Sequence, residues 1–150
     1  MVLGKSQAEL ENYKPALTKQ SDFDQFWERT LKLIPNEPAV LTPLVSPIKT
    51  LDIYDVTIKG FNGDPIKGWF LTPKHLEKPA PLITIFEGYG GGRGEATEWL
   101  FWPSAGYPTL VMDTRGQGSS HRRGETPDGN YPRNNQYPGF MTSGIDDPDN

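Results

Sequence analysis

A chain of 150 residues with a net charge of −4, a pI near 5.1, scattered Lys and Arg and no cysteine offers no basic footprint for nucleic acid and no disulfide or thiolate metal site. Its N-terminus lacks an apolar leader segment and no window approaches the roughly 18 apolar residues of a membrane span, so a soluble, cytoplasmic protein without nucleic-acid or membrane partners is expected. With 35% hydrophobic residues, 16 glycines and 15 prolines, a thin core and an incomplete fold are expected, because ordering each residue costs roughly 1–2 kcal/mol while apolar burial returns about 25 cal/mol per Å².

Ser6 and Glu9 have the spacing of a capping box and predict a short helix from Gln7 to Tyr13 that stops before Pro15. Phe23, Phe26, Trp27, Thr30, Leu31 and Ile34 recur with helical period after a Ser21 or Asp22 cap and before Pro35. Such an aromatic stripe predicts a face packed into the core. Pro35, Pro38, Pro43 and Pro47 argue against regular structure and predict an extended connector. Leu51 to Ile58 and Ile66 to Leu71 then read as an antiparallel hairpin closed by Asn62–Gly63, with a phase slip that predicts a bulge near Tyr54.

Pro81 to Glu87 and Pro108 to Asp113 are continuous apolar runs of the kind found in strands buried on both faces. A helix over Glu95 to Ser104 between them predicts a βαβ crossover with parallel pairing. Beyond Asp113 no further regular element is evident, and a loop of that length marks a functional segment or a chain that continues elsewhere.

The first buried-type run leads into Gly88 to Gly94, GYGGGRG, and the second into Asp113 to Gly118, DTRGQG. Two such loops at one rim of a parallel sheet can aim backbone N–H groups at an oxyanion or phosphate, since glycine permits the positive φ angles this needs. A dinucleotide fingerprint fails, because no G-x-G-x-x-G can be completed from Gly88, Gly90 or Gly92. As an oxyanion loop the segment fits better, with Tyr89 at the amide position that follows the third strand in α/β-type hydrolases. Asp113, Arg115 and Gln117 alternate where Asp and Arg can brace adjacent loops. No G-x-S-x-G elbow is present; Ser119, Ser120 and His121 are sequence neighbours that diverge on a loop, Ser104 reads as a helix terminus and His75 as a solvated loop residue. Asp146, Asp147 and Asp149 lack the Gly and Glu spacing of a calcium loop, so no metal is expected.

Several segments together resemble the acetyl xylan esterase and cephalosporin-C deacetylase family, carbohydrate esterase family seven of the α/β-hydrolase superfamily: DFDQFWERTL at 22–31, YDVTIKGFNGDPIKGW at 54–69, GYGGGRG, WLFWPSAGY at 99–107, MDTRGQG at 112–118 and QYPGFMTSGI at 136–145. Arg115, Gly116 and Gln117 match that family's RGQ signature. The resemblance implies the N-terminal portion of a single α/β-hydrolase domain, with a helical and extended segment over 1–47, the start of the central sheet over 48–113 and a long loop of oligomer-interface type over 114–150. It further implies Ser-His-Asp hydrolysis of acetyl esters on xylo-oligosaccharides and cephalosporin C, no cofactor, and assembly as a homo-oligomer, commonly a hexamer, through a protruding loop from about Ser119 to Asn150.

Tyr89 takes the oxyanion-donor position in that comparison, flanked by Gly88 and Gly90, with Asp113, Arg115, Gly116 and Gln117 supporting the site. The family's serine motif, acid and histidine find no counterpart in this chain, so Asn150 reads as a truncation and the 150 residues alone are expected to be inactive. A non-catalytic binding or assembly piece is the competing reading; coding sequence for G-x-S-x-G downstream favours the first and a genuine stop codon with a folded product the second.

Overall fold

The computed structural model describes residues 4–76, 79–118 and 120–127. Helix α1, Gln7–Glu11, opens on the expected capping box, with the Ser6 hydroxyl accepting from the Glu9 amide and the Glu9 carboxylate accepting from the Ser6 amide. Helix α2, Phe23–Lys32, follows Asp22, whose side chain makes no cap hydrogen bond. Its aromatic stripe departs from expectation: Phe23, Trp27 and Leu31 are exposed and no α2 residue is buried. The periodicity formed the helix, but among the described residues no element covers that face.

Among the described residues five strands form one mixed sheet in the order β1-β2-β3-β5-β4. Strand β1, Val40–Pro43, lies within the proline-rich stretch and pairs antiparallel with β2, Leu51–Lys59. The extended connector is therefore partly a strand. β1 sits at the sheet edge, where a proline without an N–H is tolerated. Strand β3, Pro65–Pro73, completes the hairpin. Asn62 at φ 52° and Gly63 at φ 79° sit in a 3₁₀ turn, Phe61–Gly63, closed by the Asp64 amide donating to the Phe61 carbonyl at 3.1 Å. Both central residues take the left-handed region that this Asn-Gly pair permits.

No bulge interrupts the hairpin, whose register runs unbroken from Leu51 opposite Pro73 to Lys59 opposite Pro65. The apparent phase slip has another cause: Leu51 and Ile53 are buried on one face and Val56 on the other.

Strand β4, Ile83–Phe86, pairs parallel with β5, Thr109–Met112, and β5 pairs antiparallel with β3. β4 is an edge strand whose Thr84 and Phe86 are exposed, so burial of both its faces is not met among the described residues. The crossover helix is split into a 3₁₀ turn, Ala96–Trp99, and α3, Phe101–Ser104. Pro103 explains the split. It has no N–H to donate to the Trp99 carbonyl, and it sits in the first turn of α3, where that donor is not needed. Leu51, Ile53, Leu71 and Ala96 form the core, with Ile48, Trp69, Trp99 and Leu100 packed against it. Among the described residues no helix is long and apolar enough to cross a membrane.

Candidate active site

Phe86 and Met112 are register partners at the carboxyl ends of the parallel pair, so the loops that follow β4 and β5 leave the sheet side by side. In the first loop, residues 88–91 form a turn in which the Gly91 amide donates to the Gly88 carbonyl at 3.0 Å and Gly90 holds φ 80°. Among the described residues no peptide bond is cis. In a trans peptide unit the carbonyl and the next N–H point in opposite directions. The Gly88 carbonyl is held toward the turn interior, so the Tyr89 N–H lies on the opposite side of that peptide unit.

The second loop fixes the turn from outside. Gln117 Oε1 accepts from the Gly90 amide at 2.5 Å, and the Gly90 carbonyl accepts from the Ser120 amide at 3.1 Å. Gly116, at φ 72°, donates its amide to the Thr126 carbonyl at 3.0 Å. Residues 120–127 lie against the glycine loop; the rest of the segment expected to protrude lies outside the described residues, as do Ser119 and the acidic cluster at 146–149. The contact is backbone on backbone. A Cβ on Gly92 would stand 2.3 Å from the Gly124 nitrogen.

Asp113 and Arg115 do not pair with each other. Asp113 is buried and accepts the Arg93 amide at 2.6 Å on Oδ1, and the Glu125 amide and Thr126 hydroxyl at 2.8 and 3.0 Å on Oδ2. Arg115 reaches Asp64 in the hairpin turn at 2.5 Å. Each side chain alternates in direction at the strand end, and each ties a different segment to the rim.

Arg93 is the residue that reading the glycine motif left out. It is 1% exposed. Nη1 donates to Asp55 Oδ1 at 3.0 Å and to the Gly68 carbonyl at 2.6 Å, Nη2 donates to Glu125 Oε2 at 2.5 Å, and the guanidinium lies 3.8 Å over the Trp69 ring. Trp99 Nε1 donates to the Arg93 carbonyl at 2.7 Å and Trp69 Nε1 to the Gly94 carbonyl at 2.9 Å. An isolated cation in this position would be costly; two carboxylates and an aromatic face compensate it. Burial raises the Asp55 carboxyl, but hydrogen bonds from Arg93 and Lys67 and their charges outweigh that and hold it below its ordinary value. The signal in the sequence was indirect: an arginine among glycines on a loop flanked by tryptophans at 69 and 99.

Glu87, with a side chain 9% exposed, accepts from Arg122 at 3.2 Å and lies 3.5 Å from His121 Nε2. Arg122 also lies 4.4 Å over the Trp99 ring and meets Glu98 at 3.3 Å. The Glu98 carboxyl is lowered chiefly by the Glu95 amide that donates to it. Ser120 and His121 are exposed. His75 is exposed and Ser104 ends α3, as expected. Tyr89 is exposed and stands in the turn, not in a helix.

The arrangement is thus a hydrogen-bonded glycine turn at the carboxyl end of a parallel strand pair. A model of the acetyl xylan esterase (AXE1) family matches residues 2–150. The chain is similar to the solved acetyl xylan esterase from Paenibacillus sp. R4, at 39% identity and a TM-score of 0.74, covering 96% of this chain and 46% of that one. It is also similar to acetyl xylan esterase 1 from Thermoanaerobacterium sp. JW/SL YS485, at 27% identity and a TM-score of 0.77, covering 97% of this chain and 45% of that one. It spans less than half the length of either structure. The fold matches that of these α/β-hydrolase structures over part of their length, and the chain belongs to the acetyl xylan esterase family.

Proposed function

We propose that these residues supply the oxyanion-binding half of an esterase that removes acetyl groups from small acetylated sugars such as xylo-oligosaccharides, and from the acetoxymethyl group of cephalosporin C. The observation that supports this reading is the turn over 88–91 at the carboxyl end of the parallel pair, closed by the Gly91 amide on the Gly88 carbonyl and held by Gln117. Family membership supports the acetyl ester as substrate.

In this reading a serine hydroxyl supplied by chain outside residues 1–150 attacks the acetyl carbonyl while a histidine takes its proton. The carbonyl oxygen becomes negative as the tetrahedral intermediate forms, and the Tyr89 N–H donates to it. Collapse expels the sugar alkoxide, which takes the proton from the histidine, and water repeats the sequence on the acetyl-enzyme. Gly88 and Gly90 keep side-chain bulk off both sides of the donor. No metal or cofactor enters these steps, and assembly into a homo-oligomer through the segment after Ser119 belongs to the same proposal.

The test is Tyr89→Pro in the intact protein, which removes the donor, set beside Tyr89→Ala, which keeps it. Loss of one oxyanion donor typically costs about 10²–10³ in kcat, so Tyr89→Pro is expected to lose that much on p-nitrophenyl acetate beyond Tyr89→Ala. Equal kcat for the two variants would sink the reading. Residues 1–150 alone are expected to hydrolyse this ester no faster than background; enzyme-like turnover abolished by changing Ser104 or Ser120 would show a nucleophile within the chain.

A further inference from the structure

The chemistry proposed for this site uses a main-chain donor and asks nothing of a buried cation, yet the one arginine of the glycine loop is 1% exposed and bonded through both its main chain and its side chain. We infer that Arg93 is the positioning residue of this loop: by clamping the hairpin and the returning 120–127 segment around one guanidinium, it sets where residues 88–91 sit and so where the Tyr89 amide points. This inference rests on the oxyanion reading above.

Three acceptors on three separate segments converge on the fork: Asp55 on β2, the Gly68 carbonyl on β3 and Glu125 on the returning segment. Trp69 supplies the floor, at 3.8 Å. A planar guanidinium serves divergent acceptors and stacks at once, whereas a lysine ammonium carries the charge without the fork. The main chain of Arg93 is held as well, its N–H by Asp113 and its carbonyl by Trp99. The turn begins five residues before Arg93, is joined to it by Gly91 and Gly92, and is held at Gly90 by Gln117 and by Ser120, the latter at the start of the segment that Arg93 clamps through Glu125. Its position thus depends on the clamp that Arg93 closes. Among the described residues Arg93 Nε has no hydrogen-bond partner, so the side chain lies where its other contacts place it and not where every donor is satisfied.

Removing the fork does not strand its acids. Asp55 keeps Lys67 at 2.6 Å and Glu125 keeps Arg123 at 3.6 Å. Arg93→Lys is therefore an informative variant, with its kinetic loss read against that of Tyr89→Pro and the double variant in the intact protein. Rates are expressed per active site, counted by stoichiometric phosphorylation with an organophosphate ester, so that misfolded molecules drop out.

Misplacing a reacting group by about 1 Å can cost on the order of 10²-fold. Arg93→Lys is expected to lower kcat by about that factor on p-nitrophenyl acetate while KM stays within about twofold. Because both changes act on one donor, the double variant is expected to fall little below Tyr89→Pro. Losses that multiply in the double variant, or an Arg93→Lys kcat per site within about threefold of the parent, would overturn the inference. If instead Tyr89→Pro matches Tyr89→Ala, the oxyanion reading itself fails, and is seen to fail separately. Should Arg93→Lys not accumulate as folded protein, Glu125→Gln loosens the same clamp from its outer side. There, a kcat loss of about tenfold at unchanged KM supports positioning, and an unchanged kcat overturns it.

Discussion

Asp113 holds the Arg93 amide at 2.6 Å on one carboxylate oxygen, and with the other it holds the Glu125 amide and the Thr126 hydroxyl. One buried acid at the end of β5 thus joins the glycine loop to the segment that returns across it. Asp113→Asn preserves the shape but must turn an NH₂ group toward one of those donors. Leaving buried donors unpaired costs about 1–3 kcal/mol each, so a loss of about 2–4 kcal/mol is expected in urea unfolding of the intact protein. Thr126→Val, which removes one bond of three, is expected to cost about 1 kcal/mol. A change below about 0.5 kcal/mol for Asp113→Asn would contradict the brace.

The glycines of the loop differ sharply in what they permit. A Cβ on Gly92 would lie 2.3 and 2.4 Å from the Gly124 nitrogen and Cα, whereas a Cβ on Gly88 meets nothing within 4 Å. Gly92→Ala is expected to push residues 120–126 off the loop, with a stability loss above about 2 kcal/mol and a collapse of acetyl ester hydrolysis. Gly88→Ala is expected to leave melting within about 1 kcal/mol of the parent. Thermal melts and kcat on the same preparations separate the two, and equal tolerance at both positions would refute the close backbone contact.

The hairpin and the parallel pair were legible because their signals are local: Asn62–Gly63 demands a left-handed turn, and the apolar runs before Gly88 and Asp113 suit only sheet. What escaped depended on position in the sheet or on a distant partner. Pro43 hid β1, since a proline argues against a strand until that strand is known to be an edge. Val56 mimicked a bulge because its burial lies on the face opposite Leu51 and Ile53. The stripe of α2 was read correctly as a helix and wrongly as core. At the site, the glycines and the acid after β5 were visible, but a buried Arg93 was not, because an arginine is ordinarily exposed and its acids come from positions 55 and 125.

Acid stability should carry the mark of Asp55. Its carboxyl is held below its ordinary value by Arg93 and Lys67, against the opposing effect of burial. A group lowered in the folded state contributes stability that is fully present above its unfolded value and is lost as pH falls through the folded one. The difference in unfolding free energy between the parent and Asp55→Asn is therefore expected to be largest near neutrality and to shrink through the acid range. Urea titrations from about pH 7 down to about pH 3 read it directly. A difference that stays constant across that range would mean the charge of Asp55 is not what the guanidinium uses.

Trp69 serves Arg93 in two ways, and two substitutions pull them apart. Its Nε1 donates to the Gly94 carbonyl at 2.9 Å, and its ring lies beneath the guanidinium while packing against the core of Leu51, Ile53 and Leu71. Trp69→Phe keeps an aromatic floor and loses the hydrogen bond, with an expected cost of about 1–2 kcal/mol. Trp69→Ala removes the floor as well and leaves a cavity beneath a buried cation, with an expected cost of about 3–5 kcal/mol. If the stacked face matters to the loop beyond its volume, Trp69→Leu should behave like Trp69→Ala in acetyl ester turnover while recovering part of the lost stability, because leucine restores packing but offers no negative ring face. Full recovery of both by leucine would reduce the contact to simple packing.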